Sequence, residues 1–368
     1  MALSYLVHGA DESYYTGKLE AYLRAKGIPY DVRPFGPASM RHCAKHTGVV
    51  QVPQVECSDG TWLVDTTLII EHFERVQPEP GVIPPDPAVG FVSHLLEDYA
   101  DEWLWRPAMH YRWSYPETAR LMSGWLGEHL AELPTPMFSK KAYWRIRQQL
   151  TFVRRDGVTA ATWSATEAVY LETLAALESI LRARPFVMGD RPTPADFGFF
   201  GSMFRHFSSD PTPARIMRRS APAVYEWVAR LWNISPAVYS ARSMPERIAT
   251  DLRPLLAAVG EAYLPYLEAN ESAFAGGERR VRYAALGVTW DEPTKPYRVW
   301  CLDRLRRQFA ALDPTARAAV ETAVGAAAVR VLGSPSRGVV PAFVDQLPIS
   351  GRRAAKPVDS WWRTTRVA

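Results

Sequence analysis

The first thirty-five residues pair two short apolar runs with one amphipathic stretch. Residues 3–7 (Leu-Ser-Tyr-Leu-Val) are half apolar and end at His8-Gly9-Ala10. A helical pattern follows over 14–25, closed by Gly27, and residues 30–35 return to strand-like composition. Strand, helix and strand at this spacing predict a βαβ unit with parallel strands. Residues 54–57 and 61–64 predict two further strands, with Ser58-Asp59-Gly60 as the hairpin turn. Asp65-Thr66 then opens a helix that runs to about residue 76. The segment between residues 35 and 53 is expected to be irregular or helical.

Pro78, Pro80, Pro84, Pro85 and Pro87 crowd a passage that can continue neither a helix nor a central strand. It reads as a linker over 78–87, after a first domain of residues 1–77. From 88 to 250 nearly every segment has helical length and spacing, as in 168–181 and 223–232, so the second domain is expected to be all helical. Residues 251–368 form an extension: Ala275-Gly276-Gly277 separates helical text from 280–283, which can start a small hairpin, and 297–311 is helical again. The tail from Gly333 is rich in Gly, Pro, Ser and Arg, and no fold is expected there.

Composition narrows the class. Hydrophobic residues make up 47% of the 368, enough for a packed core. The balance of 43 basic to 39 acidic side chains indicates neither a nucleic-acid groove nor a membrane anchor. Cys43, Cys57 and Cys301 are an odd, widely spaced set, which argues against disulfides and against a thiolate metal site. With no secretory pattern and no long apolar run, a cytoplasmic protein is expected. The sequence carries no GxxxxGK[ST], HExxH, paired-cysteine or GxSxG motif, so no metal ligand set is expected.

Two short motifs carry candidate chemistry. Gln51-Val52-Pro53-Gln54 puts a proline at a strand entry, where it cannot donate to the ladder. A cis Val52-Pro53 bond would turn the Val52 N–H and C=O towards a ligand. Asp65-Thr66 at a helix N-terminus reads either as a cap or as a carboxylate-binding site, because both use the same free N–H groups.

Taken together, the βαβ unit, Val52-Pro53 and Asp65-Thr66 resemble the thioredoxin-like half of the glutathione transferase superfamily. Gly189-Asp190-Arg191-Pro192-Thr193-Pro194-Ala195-Asp196-Phe197 is similar to that family's capping box, with Thr193 as N-cap, Pro194 at N1 and Asp196 at N3. The resemblance spans about residues 3–240 and leaves the extension unmatched. It implies an α/β thioredoxin-like domain followed by a helical bundle, a cytoplasmic homodimer, and glutathione as co-substrate in detoxification. Val52 would pair with the cysteinyl part of glutathione, Asp65 and Thr66 would hold its γ-glutamyl end, Gln51 would reach its glycyl end, and Pro53 would belong to the same loop. The Ser or Cys position of the family falls on Ser13, five before Lys18, with Tyr14 or Tyr15 as alternative hydroxyls. Val7 or His8, at the position of the Tyr branches, has no hydroxyl. The lack of cysteine at 13 argues against thiol–disulfide chemistry.

The aromatic stretch 101–115 reads as core packing or as a wall for the hydrophobic co-substrate. The resemblance puts Tyr111 and Trp113 on that wall, with His110 and Arg112 beside them. The implied reaction is attack of glutathione thiolate on an electrophilic, hydrophobic substrate, by conjugation or by ether or halide cleavage. A glutathione-dependent isomerase or lyase, and a non-catalytic binding or scaffold protein, are the alternatives.

Overall fold

The structure is a computed structural model that describes residues 4–338, 340–341 and 347–349. The N-terminal part runs β1 (Tyr5–Gly9), α1 (Tyr14–Lys26), β2 (Tyr30–Pro34), α2 (Pro37–Thr47), β3 (Gln54–Cys57), β4 (Trp62–Val64) and α3 (Thr66–Val76). Its sheet has the order β2-β1-β3-β4, with β1 and β2 parallel and the other pairs antiparallel. This is a thioredoxin-like arrangement. The first strand starts two residues later than the sequence pattern suggests, and the segment left open between β2 and β3 is the helix α2.

The helical part comprises α4 (Pro87–Glu102), α5 (Trp105–Trp113), α6 (Pro116–Glu128), α7 (Met137–Gln148), α8 (Trp163–Ala183), α9 (Pro194–Ser202), α10 (Pro211–Ser220), α11 (Pro222–Trp232) and the short α12 (Pro236–Tyr239). Proline stands at the first turn of most of these helices, where its missing N–H would have no partner anyway. The capping box forms as the sequence indicates. Asp196 accepts from the Thr193 and Val187 amides at 2.9 and 2.8 Å and from Trp227 Nε1 at 3.3 Å.

The extension adds α13 (Arg253–Ala258), α14 (Leu264–Ala275), the hairpin β5 (Arg280–Ala285) and β6 (Val288–Pro293), α15 (Pro296–Ala310), α16 (Pro314–Val324) and α17 (Ala326–Leu332). It packs on α4 through α15 and α16, and Arg304 of α15 pairs with Glu71 of α3. Beyond α17, Ile349 bridges the free edge of β4 with two backbone bonds to Trp62, of 3.0 and 2.8 Å. Of the tail expected to lack a fold, residues 339, 342–346 and 350–368 lie outside the described residues. Among the described residues, no helix is long and apolar enough to cross a membrane.

The two halves of the fold are joined by buried charge. Lys18 Nζ, from α1, contacts Glu97 Oε1 at 2.6 Å and Asp101 Oδ2 at 2.5 Å, both on α4. All three side chains are inaccessible or nearly so. The Tyr14 hydroxyl donates to the Ala100 carbonyl, and the Tyr15 hydroxyl to the Asp101 carbonyl at 2.9 Å. Burial leaves the Asp101 carboxyl above its ordinary range despite Lys18. Glu97 is subject to the same burial, but Lys18 and His94 outweigh it and hold this carboxylate ionised.

Removing the cation strands two carboxylates out of water. Lys18→Met is expected to destabilise the protein by about 3–5 kcal/mol in equilibrium denaturation. A loss below about 1 kcal/mol, the range of an exposed pair, would remove this network from its joining role.

Candidate functional site

Three loop ends meet where the sheet faces α4 and α5. The first is the turn from β1 into α1. Gly9 is required there, because a Cβ would sit 2.6 Å from Thr16 Cγ2. Ser13 is the N-cap of α1, with extended backbone, and its Oγ accepts from the Thr16 amide at 3.3 Å. In that role the hydroxyl proton is not used. The first-turn amides of α1 likewise have no intrahelical acceptor.

The second is the loop 48–53, which ends in the cis Val52–Pro53 peptide. Its shape is set by the buried Gln54 side chain. Gln54 Nε2 donates to the carbonyls of Val49 and Gln51 at 3.1 and 2.8 Å, and Oε1 accepts from Thr47 Oγ1 at 2.9 Å. The third is the entry to α3. Asp65 lies at φ 68°, ψ 115°, a region that costs a non-glycine residue about 1–3 kcal/mol and recurs at functional sites. Its Oδ1 compensates in part by accepting from the Thr67 and Leu68 amides at 3.1 and 3.3 Å.

These ends open on one cavity of about 1690 Å³, lined by Ser13, Tyr14, Tyr15, Gln51, Val52, Pro53, Asp65 and Thr66. Typical small-molecule sites measure about 300–1,000 Å³, so this one has room for more than one ligand. Its far wall is apolar, built from Trp105, Met109, Trp113, Leu126 and Phe152.

The alternative hydroxyls and the aromatic wall are sorted by helix geometry. Tyr14 and Tyr15 border the cavity, but both phenols already donate to α4 carbonyls, and burial drives both far above their ordinary pKa. Trp113 lies on the wall in register with Trp105 and Met109, at i, i+4 and i+8 on α5. Tyr111 falls on the other side of that helix, away from the cavity. Its ring stacks on Tyr115 at 5.4 Å and meets Tyr170 edge-on at 5.3 Å. Arg112 reaches the cavity with its guanidinium committed to Asp210, Glu12 and Arg205, while His110 packs on Trp163 with its ring at 4.3 Å. Thr193 and Asp196 stay in the helical core.

The extension supplies what the sequence reading missed. Pro293, Thr294, Lys295, Pro296, Tyr297 and Arg298 all line the cavity. The Tyr297 hydroxyl donates to Asp65 Oδ2 at 2.7 Å, so the carboxylate at the entry of α3 is held from both sides. The available signal was Pro296, which marks the first turn of α15, but nothing local tells where that turn points. Lys295 is itself fixed by Asp156 and Glu292 at 2.7 and 2.6 Å.

Comparison with known proteins gives two family matches. Residues 7–81 match the glutathione S-transferase N-terminal domain and residues 151–234 the glutathione S-transferase C-terminal domain. No curated protein matches the chain. Among solved structures, a glutathione S-transferase from Methylobacterium radiotolerans in complex with glutathione sulfonate is 18% identical, with 67% of this chain and 100% of that chain covered and a TM-score of 0.40. A beta-etherase from Sphingobium is 21% identical over 65% of this chain and 97% of its own, with a TM-score of 0.45. A maleylacetoacetate isomerase from Anaeromyxobacter dehalogenans with bound dicarboxyethyl glutathione is 18% identical over 66% and 94%, with a TM-score of 0.35.

At the mouth, His129 at the end of α6 hydrogen-bonds Glu12 beside Ser13. That bond raises the His129 pKa over the opposing effect of burial. Burial would raise Glu12, but His129 outweighs it and holds the carboxyl below its ordinary range. The pair therefore stabilises the fold above the ordinary carboxylate range and below the raised His129 pKa. Stability is expected to fall as pH drops through the depressed Glu12 pKa, and again as it rises through the His129 pKa. His129→Asn should flatten the alkaline limb of melting temperature against pH, and an unchanged limb would remove this pair as its cause.

Proposed function

From the premise that this chain belongs to the glutathione S-transferase superfamily, we propose that it binds glutathione and directs its thiolate at an electrophilic carbon of a hydrophobic substrate. The observation that carries this reading is the convergence of Ser13, Val52, Asp65 and Thr66 on one side of a single cavity whose other side is aromatic. Peptide-like recognition needs polar backbone and carboxylate groups, and a hydrophobic substrate needs the apolar wall.

In this reading the γ-glutamyl ammonium meets the Asp65 carboxylate, and its carboxylate meets Thr66 and the α3 N-terminus. Val52 offers its backbone to the cysteinyl residue, and Gln51 faces the glycyl end. The sulfur lies at the α1 N-terminus, where the Ser13 hydroxyl donates to it. A free thiol has a pKa of about 8.5, and a donor plus a positive helix end favours thiolate at neutral pH. The thiolate then forms a C–S bond as the leaving group, a halide or a phenoxide, departs with the electron pair. Ser13 stabilises the nucleophile and takes no covalent part. The remaining work is positioning beside Trp105 and Trp113.

Ser13→Ala is expected to lower kcat/KM roughly 10- to 100-fold and to raise the thiol pKa of bound glutathione, with affinity nearly unchanged. Tyr14→Phe should leave that pKa in place, because its hydroxyl serves α4. Thiolate absorbance of bound glutathione across pH separates the two. Wild-type protein that binds glutathione without lowering its thiol pKa would instead fit a non-catalytic binding protein, and absence of binding at millimolar glutathione would overturn the proposal.

Tyr297 orients the Asp65 carboxylate that receives the ammonium. Tyr297→Phe is expected to weaken glutathione binding about tenfold, the worth of one charge-assisted hydrogen bond. Tighter binding by this variant would show that the hydroxyl competes with the ligand.

A further inference from the structure

A second cluster of ligand-type side chains lies outside the cavity, between the sheet and α2. The β1–β3 register sets Leu6 against Glu56 and His8 against Gln54, so His8 and Glu56 are diagonal neighbours on the α2 face. α2 brings His42 to the same point. Glu56 Oε2 lies 3.0 Å from His8 Nε2 and 3.2 Å from His42 Nε2, and the three groups offer ligand atoms all within 4.8 Å of one another.

The two distances to Glu56 are close to those between neighbouring ligand atoms of a metal polyhedron. Zinc bonds of about 2.0–2.1 Å to imidazole and carboxylate place tetrahedral ligand atoms about 3.4 Å apart. His8 is fully buried, and its other nitrogen, Nδ1, contacts Ser39 Oγ at 2.8 Å. An imidazole anchored through its second nitrogen is the usual support of a ligating histidine. Trp62 closes one side, with its ring 5.3 Å from His8 and stacked on His46 at 5.0 Å. On the open side His42 and Glu56 are about a third exposed, and Arg33 reaches to 4.0 Å from Glu56.

We propose that His8, His42 and Glu56 bind a divalent transition-metal ion of the zinc class, with water in the fourth position, and that the ion clamps α2 to the sheet. Without metal, both Nε2–H groups donate to Glu56. On binding, the ion replaces these protons: the His8 proton moves to Nδ1, where Ser39 Oγ turns from donor to acceptor, and His42 keeps its proton on the solvent side. α2 buries few of its own side chains, Ser39, Cys43 and Thr47, so a metal clamp adds substantially to its anchorage. Imidazole and carboxylate donors without thiolate suit zinc, cobalt and nickel over calcium or magnesium.

The test uses the full chain, free of affinity tag, stripped with chelator and kept free of glutathione, which itself binds these ions. Titration with Co²⁺ should develop the visible absorption of a tetrahedral site with one-to-one stoichiometry, and Zn²⁺ should displace it. His42→Ala and Glu56→Gln, both at partly exposed positions, should weaken Zn²⁺ at least about tenfold while leaving the circular dichroism spectrum unchanged. Zn²⁺ should also raise the melting temperature of the wild type more than that of either variant. Absence of the cobalt band, or Zn²⁺ affinity equal in wild type and both folded variants, overturns the site.

Discussion

An ammonium group out of water is tolerated inside a protein when carboxylates meet it at hydrogen-bond distance, and Lys18 is such a group. It projects from the first helix of the sheet domain into α4, where Glu97 and Asp101 receive it one helical turn apart. Much of the site geometry follows from this contact. It fixes the azimuth of α1, and with it the direction in which Ser13 and the first-turn amides point. It also draws α4 against Tyr14 and Tyr15, whose phenols serve as struts between the two halves. Thr67 Oγ1 joins the network at 3.2 Å from Glu97, which ties the start of α3, and so Asp65, to the same anchor. Two of the three loop ends of the site are thereby referenced to one buried charge.

The fold was legible where local chemistry decides it. The βαβ unit, the hairpin turn at Gly60, the proline-opened helices and the capping box at Thr193 and Asp196 depend on residues within a few positions of one another. The candidate site was legible for the same reason at Ser13, Val52 and Asp65, each of which marks a helix start or a strand entry. What escaped depends on distance. Tyr297 lies 232 residues from Asp65, and no periodicity within α15 reports that its first turn faces α3. Tyr111 and Trp113 are two residues apart in one aromatic stretch. A rotation of about 200° between them places one in the core and the other on the cavity wall. His8 and Glu56 come together through strand register, and His42 reaches them from a helix whose existence the sequence pattern left open.

The extension is part of the architecture. Arg306 makes a two-pronged contact with Glu271 at 2.7 and 2.8 Å inside it. Arg106 of α5 reaches Glu292 and Tyr283 of the hairpin while lying over the rings of Trp103 and Trp290 at 4.5 and 4.2 Å. The segment that lines the cavity between Pro293 and Arg298 is therefore braced from behind, and the shape of the substrate side is set jointly by the helical bundle and the extension. Elsewhere the extension packs α15 and α16 on α4, and Arg304 of α15 pairs with Glu71 of α3.

The two backbone bonds between Ile349 and Trp62 bear on how this protein behaves when shortened. β4 is an edge strand, and an uncovered edge presents unpaired amides and carbonyls to any passing strand. Ile349 also packs with Cys43, Trp62 and Val64, so its loss opens an apolar seam beside that edge. A proteolytic cut before residue 347 would leave α1, Asp65 and Tyr297 in place. It would also convert a protected rim into a self-adhesive one, coupling the solubility of the chain to a few residues near its C-terminus.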